Sequence, residues 1–459
     1  MSTLEDPTAG TGGTLPEPLR RFAVANAPKY RDDGARVPGA EPVAVLAPRS
    51  AAECAEILLA LQTARLPVVV QGGRTGLSGG ARVRAGEAVI SLERLNQPPE
   101  VDPVAGTLIA GAGVVLAEAQ KAAAGQGLYL AADLGARGSA TLGGMASTNA
   151  GGPLALRYGT FRQQVLGLEA VLADGTIVRR LGGLVKDNSG YDLSQFLIGT
   201  EGTLGIITRL ALRLHPAPRG RRVAVCALAG VEAALRLLPV LRAELGPRLH
   251  ACELILEPLL RATCESQSLR YPFERGAGAV LLVEVAGADP EADGARLEGV
   301  LAEALDAGLV SDAVLSQSEA DCQRFWALRD GCSHHLMQLA GTTGLDISLP
   351  IPSIPAFLDE AGRLLAGRIS PLVLGHLGDG NLHYILPGRH GAEMLTPLFT
   401  LLARHGGVIT AEHGVGVDKV DYLPLCRPDA ELAAMARLKA AVDPGWILNP
   451  GRVIPAPPA

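Results

Sequence analysis

Short apolar segments separated by glycine-rich turns fill the first half of this chain. Such segments predict buried or half-buried strands. Ser50-Ala51-Ala52-Glu53 has the form of a capping box and predicts an Ala/Leu-rich helix to about Arg65. A second helix is predicted over Val115–Ala124, before Gly125 and Gly127. The predicted strands are Val43–Leu46, Pro67–Val70, Val89–Leu92, Thr107–Ala110, Val165–Ala173 and Thr176–Arg180.

The second half alternates strand and helix patterns, which predicts an α+β domain with an antiparallel sheet and helices on one face. Pro216 and Pro218 mark the predicted boundary between the two halves. The predicted strands are Val223–Ala227, Val280–Val285 and Leu345–Leu349, and the predicted helices are Val231–Leu245, Glu291–Ala307, Ala320–Leu339 and Ala430–Val442.

Two glycine-rich stretches in the first half predict ligand-binding loops. Gln71–Gly80 follows a strand directly, so its backbone N–H groups can face an anion such as phosphate. It lacks the Gly-Lys-Ser/Thr end of a P-loop and the acidic residue of a Rossmann fingerprint. Asp133–Gly152 is small and polar without a periodic apolar face, so we expect no core element there. Its alternatives are a disordered linker or an ordered wrap around a large flat ligand, and we favour the wrap.

The stretch Gly375–His383 predicts a hairpin that carries two histidines. Its strands would be Leu372–Leu377 and Leu382–Leu386, with Leu377 opposite Leu382. His376 would then lie directly opposite His383, with Cβ atoms about 4.5–5.5 Å apart, and the two could share one metal ion. A second glycine-flanked cluster could add Glu412 as a third ligand and place His413 beside the metal. The alternative is that both hairpin histidines are ordinary surface or core residues.

Composition narrows the class of protein. The chain has 459 residues, enough for two or three domains, and a net charge of −6 without a basic run, so we expect no nucleic-acid partner. Its seven cysteines show no metal or disulfide spacing and indicate a reducing compartment. Met1–Pro16 is polar, which predicts a tail and no signal peptide. The sequence contains no apolar window long enough to predict a membrane span. We therefore expect a cytoplasmic protein, or one held at the inner membrane by a partner.

Seven motifs in order resemble the FAD-linked 2-hydroxy-acid dehydrogenases, which include D-lactate dehydrogenase, D-2-hydroxyglutarate dehydrogenase and the glycolate oxidase D subunit. They are Gly72–Ala81, Asp133–Gly152, Lys186–Asp192, Gly199–Thr208, Gly375–His383, Glu412–Gly416 and Asn449–Gly451. The resemblance implies a tail and lead-in over 1–38 and a two-part PCMH-type FAD-binding domain of the vanillyl-alcohol-oxidase type over 39–219. It implies an α+β (ferredoxin-like, antiparallel sheet) substrate-cap domain over 220–455.

The resemblance also implies the cofactor. Some relatives bind FAD covalently through a histidine in the first loop, but Gln71–Ala81 contains none, so FAD is expected to be non-covalent. The cofactor-binding residues implied are Gly72, Gly73, Arg74, Thr75, Gly76, Leu77, Ser78, Gly79, Leu134, Gly135, Gly138, Ser139, Thr141, Gly143, Gly144, Asn149, Gly151, Gly152, Glu201, Gly205, Ile206 and Asn449.

By the same resemblance, His376, His383 and Glu412 would ligate a divalent metal, with Zn²⁺ expected from the N/N/O set. His413 would be the general base and would also contact substrate. Arg329 would clamp the substrate carboxylate, and Ser333 would also contact the substrate. Flavin N5 would take the hydride, and the electrons would pass to an acceptor other than NAD.

The sequence leaves several candidates open for the substrate and for the electron acceptor. Gly344 and Ile385 replace a basic residue and an asparagine of relatives that act on longer diacids. This predicts a shorter or more apolar D-2-hydroxy acid, such as D-lactate or glycolate, with D-2-hydroxyglutarate as the alternative. The acceptor could be an electron-transfer flavoprotein, a quinone, a cytochrome or an iron–sulfur partner subunit. The chain could also form a homodimer.

Three other classes remain open from the residues. A metal hydrolase would use the histidines and glutamate with a bound water, and it would be colourless. A flavoprotein without net oxidation, like the alkyl-glycerone-phosphate synthases, would hold flavin that no hydroxy acid bleaches. A subunit of a glycolate oxidase type of complex would co-purify with a cysteine-rich partner.

Overall fold

The computed structural model describes residues 15–25, 27–35 and 37–456, so most of the predicted N-terminal tail lies outside the described residues. Contacts divide the chain into two compact units. Unit 1 comprises the described residues up to Ala150, then Thr160–Ala217 and the described residues from Glu412 to Ala456. Unit 2 comprises Gly151–Gly159 and Pro218–Ala411. The predicted continuous domains 39–219 and 220–455 stay predictions, since contacts assign the C-terminal segment to unit 1.

Strands and helices follow one another along both units. The strands are β1 (Ala23–Val24), β2 (Val45–Leu46), β3 (Val68–Gln71), β4 (Ala88–Ser91), β5 (Glu100–Asp102), β6 (Thr107–Gly111), β7 (Leu128–Tyr129), β8 (Val165–Val171), β9 (Ile177–Arg180), β10 (Ile206–Arg213), β11 (His215–Pro216), β12 (Gly220–Leu228), β13 (Leu249–Leu256), β14 (Ala279–Gly287), β15 (Asp312–Leu315), β16 (Thr342–Ser348), β17 (Leu372–His376) and β18 (Asn381–Pro387). The α-helices are α1 (Ala51–Ala64), α2 (Leu116–Ala124), α3 (Leu142–Thr148), α4 (Ala155–Tyr158), α5 (Phe161–Gln164), α6 (Leu193–Leu197), α7 (Val231–Leu245), α8 (Glu257–Gln267), α9 (Pro290–Asp306), α10 (Glu319–Gln338), α11 (Ile354–Leu365), α12 (Ala392–Arg404) and α13 (Asp429–Val442). Short 3₁₀ helices lie at Glu17–Phe22, Pro28–Tyr30, Leu92–Arg94, Gly246–Arg248, Ile351–Ser353 and Val420–Leu425.

The first sheet of unit 1 has the order β1-β2-β4-β3, with β2, β4 and β3 parallel. Helix α1 packs its buried residues into the same core as these strands. The predicted cap is confirmed, because Ser50 Oγ accepts a hydrogen bond from Glu53 N at 3.1 Å. The Glu53 carboxylate accepts from Arg49 N at 2.6 Å, so it satisfies a donor just before the helix. Arg65, at φ +51°, ends the helix.

The second sheet of unit 1 is antiparallel, in the order β5-β6-β10-β8-β9. Strands β8 and β9 form the predicted hairpin around Asp174 and Gly175. Gly175 has φ +80°, and Thr176 N donates to Asp174 Oδ1 at 2.9 Å. The turn therefore uses an Asx contact and the left-handed freedom of glycine.

One expectation about unit 1 is wrong. The stretch Asp133–Gly152 contains α3, and its residues Leu142, Met145 and Ala146 are buried in the core behind the second sheet. Small residues allow this packing, because a Cβ at Gly143 would lie 2.6 Å from the Cβ of Ala112. The absence of an apolar period therefore reflects close backbone packing, which glycine permits.

Unit 2 is built on a seven-stranded antiparallel sheet in the order β15-β12-β14-β13-β17-β18-β16. Helices α8 and α10 pack against one part of it in a shared core. Strand β13 and helix α8, between two predicted elements, were not expected from the sequence. The predicted α+β class is confirmed. Within the described part of the chain, none of the helices combines the length and the apolar character that crossing a membrane requires.

Candidate active site

The two predicted metal histidines lie on the β17–β18 hairpin of unit 2, but the predicted pairing is wrong. His376 lies opposite Asn381 and His383 opposite Leu374. The turn closes one residue earlier than expected, because Asp379 Oδ1 accepts from Asn381 N at 3.1 Å. A shift of two residues along a strand preserves the face. The imidazoles therefore still share one face, with ring centroids 5.6 Å apart.

Glu253 on β13 contacts the His376 imidazole. Glu253 lies opposite His376 across the β13–β17 pair, and its Oε1 is 2.6 Å from His376 Nδ1. Its Oε2 accepts a hydrogen bond from Arg329 Nε at 2.9 Å. Burial works to raise the pKa of Glu253, but the charges and hydrogen bonds of His376 and Arg329 outweigh it and hold this pKa below its ordinary value. Arg329, the predicted carboxylate clamp, is thus bound at Nε by a buried glutamate.

Asp346 on β16 holds a similar place beside His383. The two residues lie directly opposite each other, with Asp346 Oδ1 3.8 Å from His383 Nδ1. Asp346 Oδ2 accepts from Ala411 N at 3.1 Å and from Thr410 Oγ1 at 3.2 Å. The backbone just before Glu412 is therefore fixed to the strand beside His383.

Glu412 and His413 begin the C-terminal segment of unit 1. His413 Nε2 is 3.6 Å from Glu412 Oε1. Glu201 holds the following backbone, since its two carboxylate oxygens accept from Val415 N at 2.7 Å and Gly416 N at 2.9 Å. Burial raises the pKa of Glu201, although these two donors oppose the shift. A fixed loop therefore carries the predicted base.

The predicted phosphate loop, Gln71–Gly80, follows β3. It packs closely on residues 139–144, which belong to the stretch predicted to wrap a flat ligand. A Cβ at Gly72 would lie 2.5 Å from Thr141 Oγ1, and one at Gly73 would overlap the carbonyl of Ser139. These positions therefore need glycine. At Gly76, by contrast, an added Cβ would meet nothing within 4 Å.

Open space and a buried hydroxyl indicate that these segments fit FAD. An added Cβ at Gly135 or Gly138 would also meet nothing within 4 Å. Ser78 Oγ is buried and has no hydrogen-bond partner among the described residues. Because buried hydroxyl groups in proteins are nearly always bonded, a ligand oxygen is a fitting partner for Ser78. Glycine backbone beside open space suits a pyrophosphate.

Asn449 connects three parts of unit 1. Its Oδ1 accepts from Val70 N at 2.8 Å, and its Nδ2 donates to the Glu201 carbonyl at 2.6 Å. Its φ of +43° is a left-handed conformation that asparagine tolerates. The side chain therefore links β3 to the loop after α6, and its predicted contact with the cofactor stays a prediction.

Other predicted cofactor residues have mainly structural contacts. Gly143 packs on Ala112. The side chain of Ile206 lies in the core with α1. The oxygen of Asn149 accepts from Thr160 Oγ1 and Arg162 N. The roles of the remaining residues stay predictions, and these residues are Arg74, Thr75, Leu77, Gly79, Leu134, Gly144 and Gly205 in unit 1 and Gly151 and Gly152 in unit 2.

The face that carries the histidines continues toward a more apolar row. Gly344 lies opposite Ile385, and Ile385 lies opposite Leu372. Gly344, Ile385 and Leu372 each lie two residues along the strand from Asp346, His383 and Leu374, respectively. Side chains two residues apart on a strand point to the same face, so this row shares the face of the histidines. Ile385 and Leu372 are half-buried and Gly344 is exposed. Ser333 lies one turn after Arg329 on α10.

Sequence reasoning missed Glu253 and Asp346 as parts of this site. Asp346 begins the strand pattern Asp-Ile-Ser-Leu-Pro and lies among apolar residues on a predicted buried strand. A buried carboxylate is costly unless it has bonding partners, and this was the signal available in the sequence. Glu253 had the same signal in Leu249–Leu256, but that strand itself was not predicted.

Solved structures share this fold. The chain matches p-cresol methylhydroxylase with a TM-score of 0.74 at 15% identity, covering 93% of this chain and 92% of that one. It matches an alkyldihydroxyacetonephosphate synthase with a TM-score of 0.68 at 15% identity, covering 90% and 76%. At these identities the likeness concerns the fold, which is of the PCMH type, as predicted.

Sequence comparison gives the family. Residues 42–180 match the FAD binding domain, and residues 217–453 match the C-terminal domain of FAD linked oxidases. The chain belongs to the FAD-linked oxidases and is an oxidoreductase of the 2-hydroxy-acid dehydrogenase group. The predicted family and the predicted enzyme class are thereby confirmed.

Three relatives illustrate the group. The mitochondrial D-2-hydroxyglutarate dehydrogenase of Bos taurus is 37% identical, over 90% of this chain and 76% of its own length. The D-2-hydroxyglutarate dehydrogenase of Xanthomonas citri pv. viticola is 36% identical, over 90% and 89%. A putative mitochondrial D-lactate dehydrogenase of Schizosaccharomyces pombe is 33% identical, over 89% and 81%. The predicted cytoplasmic location is wrong by this comparison, because the cattle and fission yeast relatives are named as mitochondrial proteins.

Proposed function

We propose that this protein oxidises a D-2-hydroxy acid to the 2-keto acid with non-covalent FAD and a divalent metal ion. The observation that carries the proposal is the pair of histidines on one sheet face, each beside a buried carboxylate. His376 has Glu253 at 2.6 Å and His383 has Asp346 at 3.8 Å. Histidines that bind metal usually have such a carboxylate behind them.

His376, His383 and Glu412 are the proposed ligands. Two imidazole nitrogens and a carboxylate oxygen suit Zn²⁺ and leave a position for substrate. Chain continuity supports Glu412, because Ala411 N is fixed to Asp346 and consecutive Cα atoms are about 3.8 Å apart. When bound, the ion would supply a Lewis acid for the substrate hydroxyl.

The chain's own groups would orient the acid and remove its proton. Arg329, bound to Glu253 through Nε, would present its terminal nitrogens to the substrate carboxylate. His413, as a neutral imidazole, would accept the hydroxyl proton. FAD, when bound, supplies the hydride acceptor at N5. The electrons would then pass to an electron-transfer flavoprotein, a quinone, a cytochrome or an iron–sulfur partner.

The sheet supports a short or apolar side chain on the substrate. The row formed by Leu372, Ile385 and Gly344 offers no charge or amide, and it follows the row of His383 and Asp346 on the same face. A distal carboxylate placed on this row would lose its hydrogen-bond partners, which costs about 1–3 kcal/mol. D-Lactate and glycolate avoid this cost.

D-2-Hydroxyglutarate is the second candidate substrate. It is favoured by the names of relatives that are 36–37% identical over 90% of this chain. For this acid, another part of the protein would have to bind the second carboxylate, since the Gly344–Ile385 row does not offer a cation.

Steady-state kinetics with an artificial electron acceptor would separate the two candidates. The proposal expects a higher kcat/KM for D-lactate than for D-2-hydroxyglutarate, and a double variant Gly344→Lys/Ile385→Asn should reverse the ratio by at least about tenfold. A matched double variant, Val104→Lys/Leu184→Asn, changes two exposed residues of unit 1 in the same way and should leave the ratio unchanged. Wild-type preference for D-2-hydroxyglutarate by a wide margin would overturn the short-acid proposal and leave the reaction class intact.

A further inference from the structure

Glu253 is a buried glutamate whose two carboxylate oxygens contact two residues of the proposed site. It is a carboxylate on a central strand with 1% of its surface exposed. A buried carboxylate is costly unless its oxygens are well bonded. One oxygen faces His376 and the other faces Arg329, so each contacts a residue with a different proposed role.

The contact at 2.6 Å determines the tautomer of His376. An ionised carboxylate only accepts hydrogen bonds, so Nδ1 of His376 must donate. On a neutral imidazole, the lone pair then lies on Nε2, and Nε2 is the only nitrogen of His376 able to bind a metal ion. Without Glu253, either nitrogen could carry the proton.

The contact to Arg329 determines the direction of the guanidinium. Nε of Arg329 donates to Glu253 at 2.9 Å, and only 12% of the Arg329 side chain is exposed. A guanidinium is planar, so fixing Nε to a buried acceptor restricts the plane in which the terminal nitrogens lie. Glu253 thereby sets the orientation of the proposed clamp.

We propose that Glu253 is a positioning residue that couples the metal ligand His376 to the carboxylate clamp Arg329. This inference rests on the proposed function. Glu253 needs no contact with substrate or cofactor, and it acts by holding one nitrogen of His376 and one of Arg329 at the same carboxylate. Replacing it should therefore weaken metal binding and substrate binding together.

Glu253→Gln tests the coupling. A glutamine has one acceptor oxygen and one donor group, so it cannot accept from both His376 Nδ1–H and Arg329 Nε–H. It also lacks the carboxylate charge, so the contact with either residue weakens whichever one keeps the acceptor oxygen. Zn²⁺ affinity of the purified full chain, measured by competition with a chelator, should fall about 10–100-fold. KM for the hydroxy acid should rise in the same variant.

Glu284→Gln is the matched control. Glu284 is a buried glutamate on β14 of the same sheet, and it accepts from His250 Nδ1 at 3.0 Å, Trp326 Nε1 at 2.6 Å and Arg221 at 3.2 Å. It has no proposed role in the site. This variant should lose stability, yet keep Zn²⁺ affinity and KM within about twofold of wild type.

The outcomes are separable. Zn²⁺ affinity unchanged by Glu253→Gln, in a wild-type protein that binds Zn²⁺, overturns the role of Glu253 and leaves the proposed function standing. A wild-type protein that binds no divalent metal overturns the metal part of the proposed function and this inference with it.

A measurement on wild-type protein keeps the inference testable if Glu253→Gln does not fold. ¹⁵N–¹H correlation spectra of the histidine rings should show the proton of His376 on Nδ1, with or without Zn²⁺. A neutral His376 ring whose proton lies on Nε2, in the metal-free protein, overturns the inference.

Discussion

Replacing Asn449 tests how the C-terminal segment is held within unit 1. In Asn449→Ala, Val70 N loses its acceptor at 2.8 Å and the Glu201 carbonyl loses its donor at 2.6 Å. Asn449 is 2% exposed, so water does not replace these partners readily. Each unsatisfied buried group costs about 1–3 kcal/mol, which gives a loss of about 2–6 kcal/mol.

The conformation of the backbone adds to this loss. Asn449 has φ +43°, and alanine in the left-handed region costs about 1–2 kcal/mol more than a residue that tolerates it. Asn449→Gly removes the same hydrogen bonds without this strain, so it should be less destabilised than Asn449→Ala. Asn449→Asp keeps an acceptor for Val70 N but sets an oxygen against the Glu201 carbonyl, and it should also be destabilised.

Urea unfolding followed by tryptophan fluorescence measures the effect, because Trp446 lies three residues before Asn449. The three variants and wild type are compared in the presence of excess FAD and again without added FAD. Destabilisation in both conditions is expected, since the bonds of Asn449 are internal to the chain. Asn449→Ala within about 0.5 kcal/mol of wild type would refute this reasoning, and a loss seen only with FAD would make Asn449 a direct cofactor ligand.

Three further outcomes are expected. Gly143→Ala should destabilise the chain by about 1–3 kcal/mol in thermal melts, because the new Cβ overlaps Ala112, whereas Gly299→Ala in α9 meets nothing and should not. The raised pKa of Glu201 means that the folded chain binds this proton more tightly, so the Tm of wild type relative to Glu201→Gln should fall as pH rises above 4.5. A difference in Tm between the two proteins that does not change with pH would contradict this expectation. His413→Gln should lower kcat about 10²–10⁴-fold and leave Zn²⁺ affinity unchanged.

Local signals in the sequence predicted much of this fold. The bounds of Val231–Leu245 match the predicted helix. The cap at Ser50 and the turn at Asp174-Gly175 follow from contacts within a few residues, so a local pattern is sufficient to find them. The family motifs likewise lie in short, glycine-marked segments.

The missing parts depend on contacts distant in sequence. The hairpin register depends on which turn residue accepts from Asn381 N, and composition does not distinguish the two turns. Helix α3 is stable because Gly143 approaches Ala112, and Glu253 joins the site through a strand pairing that spans more than one hundred residues. Such pairings leave no periodic pattern in the sequence.

Anaerobic visible spectroscopy of the purified protein tests the central claim most directly. Spectra are recorded before and after D-lactate, L-lactate, glycolate and D-2-hydroxyglutarate are added separately, then again after chelation and after Zn²⁺ is restored. Metal-assisted oxidation predicts a flavin spectrum that at least one of D-lactate, glycolate and D-2-hydroxyglutarate bleaches, loss of this bleaching on chelation and its return with the metal. A flavin that the same acid bleaches equally well after complete metal removal would contradict metal assistance, and a flavin that no 2-hydroxy acid bleaches would contradict the proposed reaction itself.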